Sequence, residues 1–554
     1  MGRGRRENQM NLLNSGIGYV LFRENVFKDT YVDKTMMVDT FYQYTKRLNK
    51  YVCVTRPRRF GKSVAANMIA AFFDKSTGEK SKALFEKCRI GTIKSDQEET
   101  FAAAPQGPET EKLCWPIQGS LNVIRINMID LLTESVQSCE AFLSKLDAQL
   151  REDLRQQYPQ MNFSGEKELT DLLRQTKESF AFVIDEWDAV FEMPFMTEKD
   201  KEKYILFLKA LFKDKAYVHF VYMTGILPIA KYTSGSPLNM FHEFSSFQDA
   251  QFYPFFGLTL EEIRKLMEKK DFIRPSLSDL TFWYDGYIRS SDGVHIYNPE
   301  SVSRALIDEQ CGDYWTGTGP MNEIEDLIRN NVQDLREDVI RMTGGETLSV
   351  KLSGFSVEKG NVSTRDEILS AMVVYGFLSY YDEQLCIPNH ELLKKFQRAL
   401  ISHELGLRQT LAESQHLLNA TLQQNDKEIA RLIESLHTEK IPFFEYNDEN
   451  SLACVVTMGY LAALDKYRVV REDKAGKGYA DFTFEPRNRR DVPIILELKY
   501  NRSANNALKC IREKDYIARF RDYPSVLLVG INYSEKTKKH TCKTEMGKPS
   551  DFLQ

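Results

Sequence analysis

Short, unbroken apolar runs alternate with helix-period stretches through the first 230 residues. The runs are Tyr51-Val-Cys-Val-Thr55, Val123-Ile-Arg-Ile126, Phe180-Ala-Phe-Val-Ile184 and Val218-His-Phe-Val-Tyr-Met223. Continuity of this kind is expected of strands buried on both faces of a parallel sheet. Between the runs, Val64, Met68, Ile69, Phe72 and Phe73 recur at helical spacing, and helices are predicted over about 131–154, 166–177 and 201–213. Strand and helix alternate at least three times, which predicts a doubly wound α/β domain over residues 15–255. Ligands of such sheets bind beyond the carboxyl ends of the strands, where Thr55, Asp185 and Thr224 stand. Residues 93–120 hold few apolar positions and read as a surface loop or insertion.

The pattern changes near Phe256 to helices and short connectors, including Trp283-Tyr-Asp-Gly-Tyr287, Tyr297-Asn-Pro299 and Gly376-Phe-Leu-Ser-Tyr380. Residues 256–400 are predicted to form a mainly helical lid or winged-helix module, and 401–437 a helical linker. Residues 438–535 return to mixed α/β. A helix is expected over 449–464, then strands at 467–470, 479–485 and 492–500, a helix over 506–521 and a strand at 526–531. Residues 536–554 read as a polar tail.

With 554 residues the chain is too long for one core, so two to four domains are expected. A formal net charge of -5 excludes a globally basic surface, so contact with nucleic acid would need a local patch. No run approaches the roughly 18 apolar residues of a membrane span, and the first residues lack the apolar core of a secretion signal. A cytoplasmic protein without a membrane partner is expected. The nine cysteines are scattered without a C-x-x-C pair, which favours reduced thiols over a structural zinc site.

The most specific chemistry lies in Arg56-Pro-Arg-Arg-Phe-Gly-Lys-Ser63, placed between a strand and a helix. Successive backbone N–H groups and a helix N-terminus there suit a phosphate anion. The backbone from Arg58 through Arg59, Phe60 and Gly61 to Lys62 would cradle it. The Lys62 ammonium would neutralise the outer phosphates and the Ser63 hydroxyl would bind Mg2+. Asp185, ending a buried strand, would hold the Mg2+ through water, and Glu186 would polarise the attacking water of an ATP-hydrolysing site. Taken singly, the Gly-Lys-Ser tripeptide could arise by chance and Ile184-Asp-Glu could be a helix start; their agreement in order, type and spacing favours the site. Arg56, Arg58 and Arg59 could contact phosphates, or one could pair with an acidic residue of the N-terminal cover. Thr224 could sense the γ-phosphate or serve only as a cap. Asp33 and Lys34 are expected near the loop, or in a solvated turn.

A second constellation is Asp481 with Glu497-Leu-Lys499. Glu497 and Lys499 alternate on one strand and so point the same way. A hairpin that paired Glu485 with Pro493 would put Asp481 directly opposite Glu497. Two carboxylates and a lysine suit Mg2+-dependent phosphodiester cleavage, and Glu449 on the preceding helix could add a third carboxylate. The same spacing also occurs in edge strands with solvated charges. Arg487, Arg489, Arg490, Arg502 and Lys509 form either a phosphate-backbone patch or an ordinary charged surface.

These motifs, together with Tyr31-Val-Asp-Lys-Thr35, Ile184-Asp-Glu-Trp-Asp188 and Thr224-Gly-Ile226, resemble the AAA-ATPase-like family, whose members usually carry a C-terminal PD-(D/E)XK nuclease-superfamily domain. The resemblance implies a P-loop NTPase (AAA-like) parallel-sheet domain, a helical lid and a nuclease-like α/β domain. It implies ATP and Mg2+ as cofactors, and it matches Glu449, Asp481, Glu497 and Lys499 to the nuclease motif. It further implies nucleic acid as partner, with DNA ahead of RNA, assembly into homo-oligomers, and a role in mobile elements or defence. Trp187 stands where the family more often has tyrosine, and Cys510 where it has glutamine, with Tyr516 retained. The departure at Cys510 bears on the strength of cleavage. The rival expectation is a nucleotide-switched binding module with an inactive nuclease fold.

Overall fold

The structure is a computed structural model. It describes residues 11–92, 116–161, 168–229, 238–245, 249, 251–289, 292–314, 335–343, 346–350, 364–401, 406–437, 449–475, 478–486, 488–513 and 516–552. The chain divides into two compact units, one of Met1–Gly317 with Lys351–Glu383, the other of Thr318–Val350 with Gln384–Gln554. The stretch 256–400 is therefore shared between them.

In the first unit, α1 (Ile17–Val26) and α2 (Met36–Arg47) precede β1 (Tyr51–Thr55) and α3 (Lys62–Phe73). Next come α4 (Gly78–Phe85), β2 (Asn122–Asn127), α5 (Met128–Leu131), α6 (Cys139–Gln157), α7 (Leu169–Gln175), β3 (Phe180–Asp185), α8 (Glu198–Phe212), β4 (Val218–Gly225) and β5 (His242–Phe244). The sheet is parallel in the order β2-β3-β4-β1-β5, so β1 and β3 flank β4. All five residues of β1 and all six of β3 are buried, which is why their sequences are unbroken apolar runs. One core joins β1 and β3 to α6, α7 and α8, and the opposite core joins the sheet to α2 and α3. Edge strand β5 carries no period-2 signal in the sequence; it forms because Val52, Cys53 and Val54 offer their free side to His242, Glu243 and Phe244.

The rest of this unit holds β6 (Leu258–Thr259), α9 (Leu260–Lys270), α10 (Leu277–Tyr284), β7 (Tyr287–Ile288), β8 (His295–Tyr297) and α11 (Pro299–Ile307), then a helix at Arg365–Tyr375. Short antiparallel pairs in the order β6-β8-β7 accompany the helices. Thr259 with Glu262 and Ser276 with Asp279 close capping boxes on α9 and α10, and Asn298 caps α11 ahead of Pro299.

In the second unit, β9 (Leu348–Ser349) pairs antiparallel with β11 (Gln384–Cys386); β10 (Ser379–Tyr381) belongs to the first unit. Helices at Gly406–Leu422 and Asp426–Ser435 occupy the expected linker. They are core elements, because Leu417, Leu418, Ile429 and Ile433 are fully buried. The C-terminal sheet runs in the order β12 (Tyr467–Ala475), β13 (Gly478–Pro486), β14 (Ile494–Tyr500), β15 (Val526–Ser534) and β16 (Lys539–Gly547). A helix at Glu449–Gly459 precedes it, and one at Ala504–Glu513 links the parallel pair β14 and β15. Within the expected polar tail lies β16, which pairs with β15 from Val526↔Gly547 to Ser534↔Lys539. Its polar composition fits an outer strand whose side chains are largely exposed or half-buried.

Candidate functional sites

Gly61 takes φ 92°, in the left-handed region that favours glycine, and the chain enters α3 at Lys62 directly after it. Lys62 is buried, and its ammonium donates to the Pro57 carbonyl at 3.0 Å. Burial lowers its pKa, while the charges of Glu186, Asp188 and Asp185 hold it up. Asp185 is 1% exposed. Burial, then the Glu186 charge, pushes its carboxyl up to about 6, and the Ser63 hydroxyl, Arg125 and Lys62 oppose the rise. Glu186 holds φ 52°, strained for a residue with a side chain, and its N–H donates to Asp185 Oδ1 at 3.1 Å. Lys62, Ser63, Asp185 and Glu186 are thus brought together around the first turn of α3.

The other predicted members have different surroundings. Arg58 reaches Glu192 at 3.3 Å, and Arg59, at φ 69°, lies 3.9 Å from Glu300. Phe60 is buried with its ring edge-on to Tyr287, at 5.1 Å between centroids, and the Tyr287 hydroxyl donates to Gly376 O at 2.7 Å. The Trp283-to-Tyr287 motif therefore supplies a wall of the loop. Thr224 is fully buried and its hydroxyl donates to Val54 O at 2.7 Å, a bond between strands rather than toward an open site. Arg56 is enclosed and ion-paired with Asp249. Losing one partner of such a pair costs about 3–5 kcal/mol, because the other charge stays buried. The pairing expected of one arginine is found, but its partner follows β5 instead of lying in the N-terminal cover. Asp33 and Lys34 are structural: Asp33 accepts the N–H of Thr35 and Arg89 at 2.8 and 2.6 Å, and Lys34 pairs with Glu262 at 2.6 Å.

Sequence reasoning gives no role to Arg125 or Asp188, although both stand in motifs that it singles out. Arg125, buried on β2, donates to Asn67 Oδ1 on α3 at 2.7 Å and its charge is felt by Asp185. A lone arginine inside the apolar run Val123–Ile126 was the available signal. Asp188 accepts the N–H groups of Ile226 and Leu227 and clasps the end of β3 to that of β4.

At the second site β13 and β14 pair Phe482↔Leu496, Thr483↔Ile495 and Phe484↔Ile494. This is the register of the Glu485-to-Pro493 hairpin, and continuing it sets Asp481 opposite Glu497. Asp481 Oδ2 accepts the Leu498 N–H at 2.6 Å. Glu497 is 2% exposed, and its Oε1 receives the Lys499 ammonium and the Cys510 thiol, both at 3.0 Å. Gly530, the β15 partner of Glu497, lets the first turn of the helix that carries Cys510 approach the sheet: a Cβ there would lie 2.4 Å from the Ala504 carbonyl. Tyr516 is fully buried in the core behind. Glu449 opens its helix, with its side chain outside the described ones, as is Arg487. Arg489, Arg490, Arg502 and Lys509 are exposed.

Asp185 Oδ2 and Glu497 Oε2 are both buried without a hydrogen-bond partner. Buried anionic oxygens of this kind suit a hard cation, so both donor sets fit Mg2+. Among the described residues no three His, Cys, Asp or Glu side chains form a ready cage. A cation at either place would complete its shell with water and phosphate oxygens, as Mg2+ does.

A parallel sheet with Gly61-Lys62-Ser63 between β1 and α3, and buried Asp185 ending β3, defines a P-loop NTPase domain; the mixed β12–β16 sheet carries the E-x-K strand. Residues 19–233 match the family described as Predicted AAA-ATPase, and residues 447–542 match the PD-(D/E)XK nuclease superfamily. The chain carries one domain of each. Solved structures similar to it include the Walker-type ATPase PABY2304 of Pyrococcus abyssi, at 10% identity and TM-score 0.33, covering 66% of this chain and 96% of that one. Another is the ORC2 protein of Aeropyrum pernix in ADPNP–ADP complexes, at 11% identity and TM-score 0.31, covering 66% and 93%. No curated protein matches the chain. Among the described residues no helix is long and apolar enough to cross a membrane.

Proposed function

We propose that this protein is a cytoplasmic, self-assembling ATPase whose nucleotide state governs Mg2+-dependent cleavage of nucleic acid, DNA ahead of RNA, in mobile-element or defence biology. Bound Mg2+ supplies charge neutralisation at the phosphates and at the scissile phosphodiester. In the ATPase site the backbone from Arg58 to Lys62 cradles the phosphates, Lys62 neutralises the outer ones, and Ser63 with Asp185 holds the cation. Glu186 accepts the proton of the attacking water. In the C-terminal site Asp481 and Glu497, joined by Glu449, hold the cation, and Lys499 orients the water or stabilises the developing charge. Arg489, Arg490, Arg502 and Lys509 offer cations for the phosphate backbone.

The observation that carries the nuclease reading is that Asp481 accepts the Leu498 N–H at 2.6 Å, next to Glu497, and that the Lys499 ammonium lies 3.0 Å from the Glu497 carboxylate. Its test is incubation of the full chain with single- and double-stranded DNA and RNA, with Mg2+ or Mn2+, beside Asp481→Ala and Lys499→Ala. Cleavage lost in both variants supports the site; cleavage that persists in them refutes it. A second reading, a nucleotide-switched binder that does not cut, is favoured by the Cys510 thiol occupying Glu497 Oε1. Retention of labelled nucleic acid without products would select it.

A further inference from the structure

We propose that Arg56 is a positioning residue of the nucleotide site, a buried strut that sets the entry of the phosphate loop and, through Pro57, the lysine that meets the phosphates. The inference rests on the reading of residues 56–63 as a nucleotide site. Arg56 is 1% exposed, so its guanidinium is unavailable to a phosphate. Nη1 donates to Thr55 O at 2.7 Å and to Phe244 O of β5 at 2.9 Å, while Nη2 pairs with Asp249. The rings of Tyr253 and Phe256 lie 4.8 and 4.9 Å from the guanidinium carbon. Its backbone N–H donates to Gly225 O at the end of β4, at 3.1 Å. Asp249 is itself fixed by the N–H groups of Gln251 and Phe252, each at 2.7 Å.

One planar fork therefore joins the end of β1, the edge strand and the 249–256 segment. The neighbouring carbonyl, that of Pro57, receives the Lys62 ammonium. A glycine at this position would supply none of the side-chain bonds, and a lysine could not satisfy two carbonyls and a carboxylate in one plane. Stability alone explains the residue poorly, because Nε is buried without a partner and apolar replacements of buried ion pairs are often neutral or stabilising. What apolar packing cannot supply is the placement of the Thr55 and Phe244 carbonyls.

The test compares full-length Arg56→Met/Asp249→Asn, Arg56→Lys and Lys62→Ala with the unsubstituted protein, by thermal unfolding, by calorimetric titration with the non-hydrolysable analogue ADPNP and Mg2+, and by steady-state ATPase kinetics. The asparagine still accepts from Gln251 and Phe252. We expect the double variant to unfold near the unsubstituted protein, yet to bind ADPNP on the order of tenfold more weakly, since small misplacements of a positioned group carry penalties of that size or larger. KM rises by more than kcat falls, because the loop and Lys62 lose their placement while Glu186 keeps its own. If the double variant unfolds early, Arg56→Lys gives the same comparison below both transitions. ADPNP affinity at the unsubstituted level in the folded Arg56 variants overturns the strut. Should Lys62→Ala also bind normally, the nucleotide site itself falls; should Lys62→Ala alone weaken binding, the site stands and only the strut falls.

Discussion

A Cβ built on Gly225 would lie 2.3 Å from Oδ1 of Asp188 and 2.5 Å from Cδ1 of Trp187. The end of β4 passes so close to the turn after β3 that only glycine fits, and Asp188 uses the approach to accept two backbone N–H groups. Gly225→Ala is expected to lower stability by about 3 kcal/mol, at the upper end of typical overpacking costs. A melting temperature unchanged from the unsubstituted protein would contradict the contact.

Lys62→Ala and Glu186→Gln should separate binding from chemistry. On the proposed reading the first removes the ammonium that would meet the phosphates, so ATP binding and turnover are both expected to fall. The second keeps the shape of the site and removes the proposed proton acceptor, so nucleotide is expected still to bind while turnover drops by about 10²–10⁴, the usual worth of a general base. ATP hydrolysis that survives both changes, followed by phosphate release, would exclude this site.

His437 and His540 give the second unit an acid-sensitive element. Their rings are hydrogen-bonded at 2.9 Å and buried, facing Tyr533, and Glu434 accepts the backbone N–H of His540 at 3.4 Å. Burial, aided by the His540 charge, holds His437 down to about 3, and burial alone holds His540 at about 4, both from 6.5. Depressed folded-state values mean that the unfolded chain binds more protons below pH 6.5. Their contribution is therefore complete above pH 6.5 and is lost as pH falls toward 4 and then 3. Within that window each histidine adds a slope of up to about 1.4 kcal/mol per pH unit. Denaturant midpoints measured from pH 7 to 4 should fall less steeply for His540→Gln; equal slopes would refute the assignment.

Ending the chain at residue 536 should unfold the second unit. It would strip β15 of a partner along its full length and remove the Lys543 and Thr544 contacts to Asp426. Those losses are large against the roughly 5–15 kcal/mol of a typical domain. Circular dichroism and protease sensitivity of the shortened chain would show it, and native-like resistance would contradict it.

The strand removed by that truncation also marks where the sequence misleads. Strands β1 to β4 were legible because burial on both faces writes a continuous apolar run. The register of β13 against β14, up to Phe482 and Leu496, was legible because hairpin geometry ties one pairing to the next. Strand β16 was not, since an outer strand with mostly polar side chains looks like a tail. The Arg56 partner was also hidden: Asp249 is far along the chain, in a polar stretch with no periodicity, and only the fold brings it to β1. Thr224 shows the limit of position as a guide. It ends a strand beside the loop, as a phosphate sensor would, yet its hydroxyl is turned to Val54.

The enclosure of Phe60 by Tyr287, and of Arg56 by Asp249, Tyr253 and Phe256, has a practical corollary for dissecting the chain. The segment matched as an ATPase stops at residue 233, short of every one of these partners. A fragment cut there would expose an aromatic ring and an unpaired arginine at the mouth of its own nucleotide loop. Recombinant pieces meant to report on the ATPase should therefore extend through Gly376, or their behaviour will describe the cut.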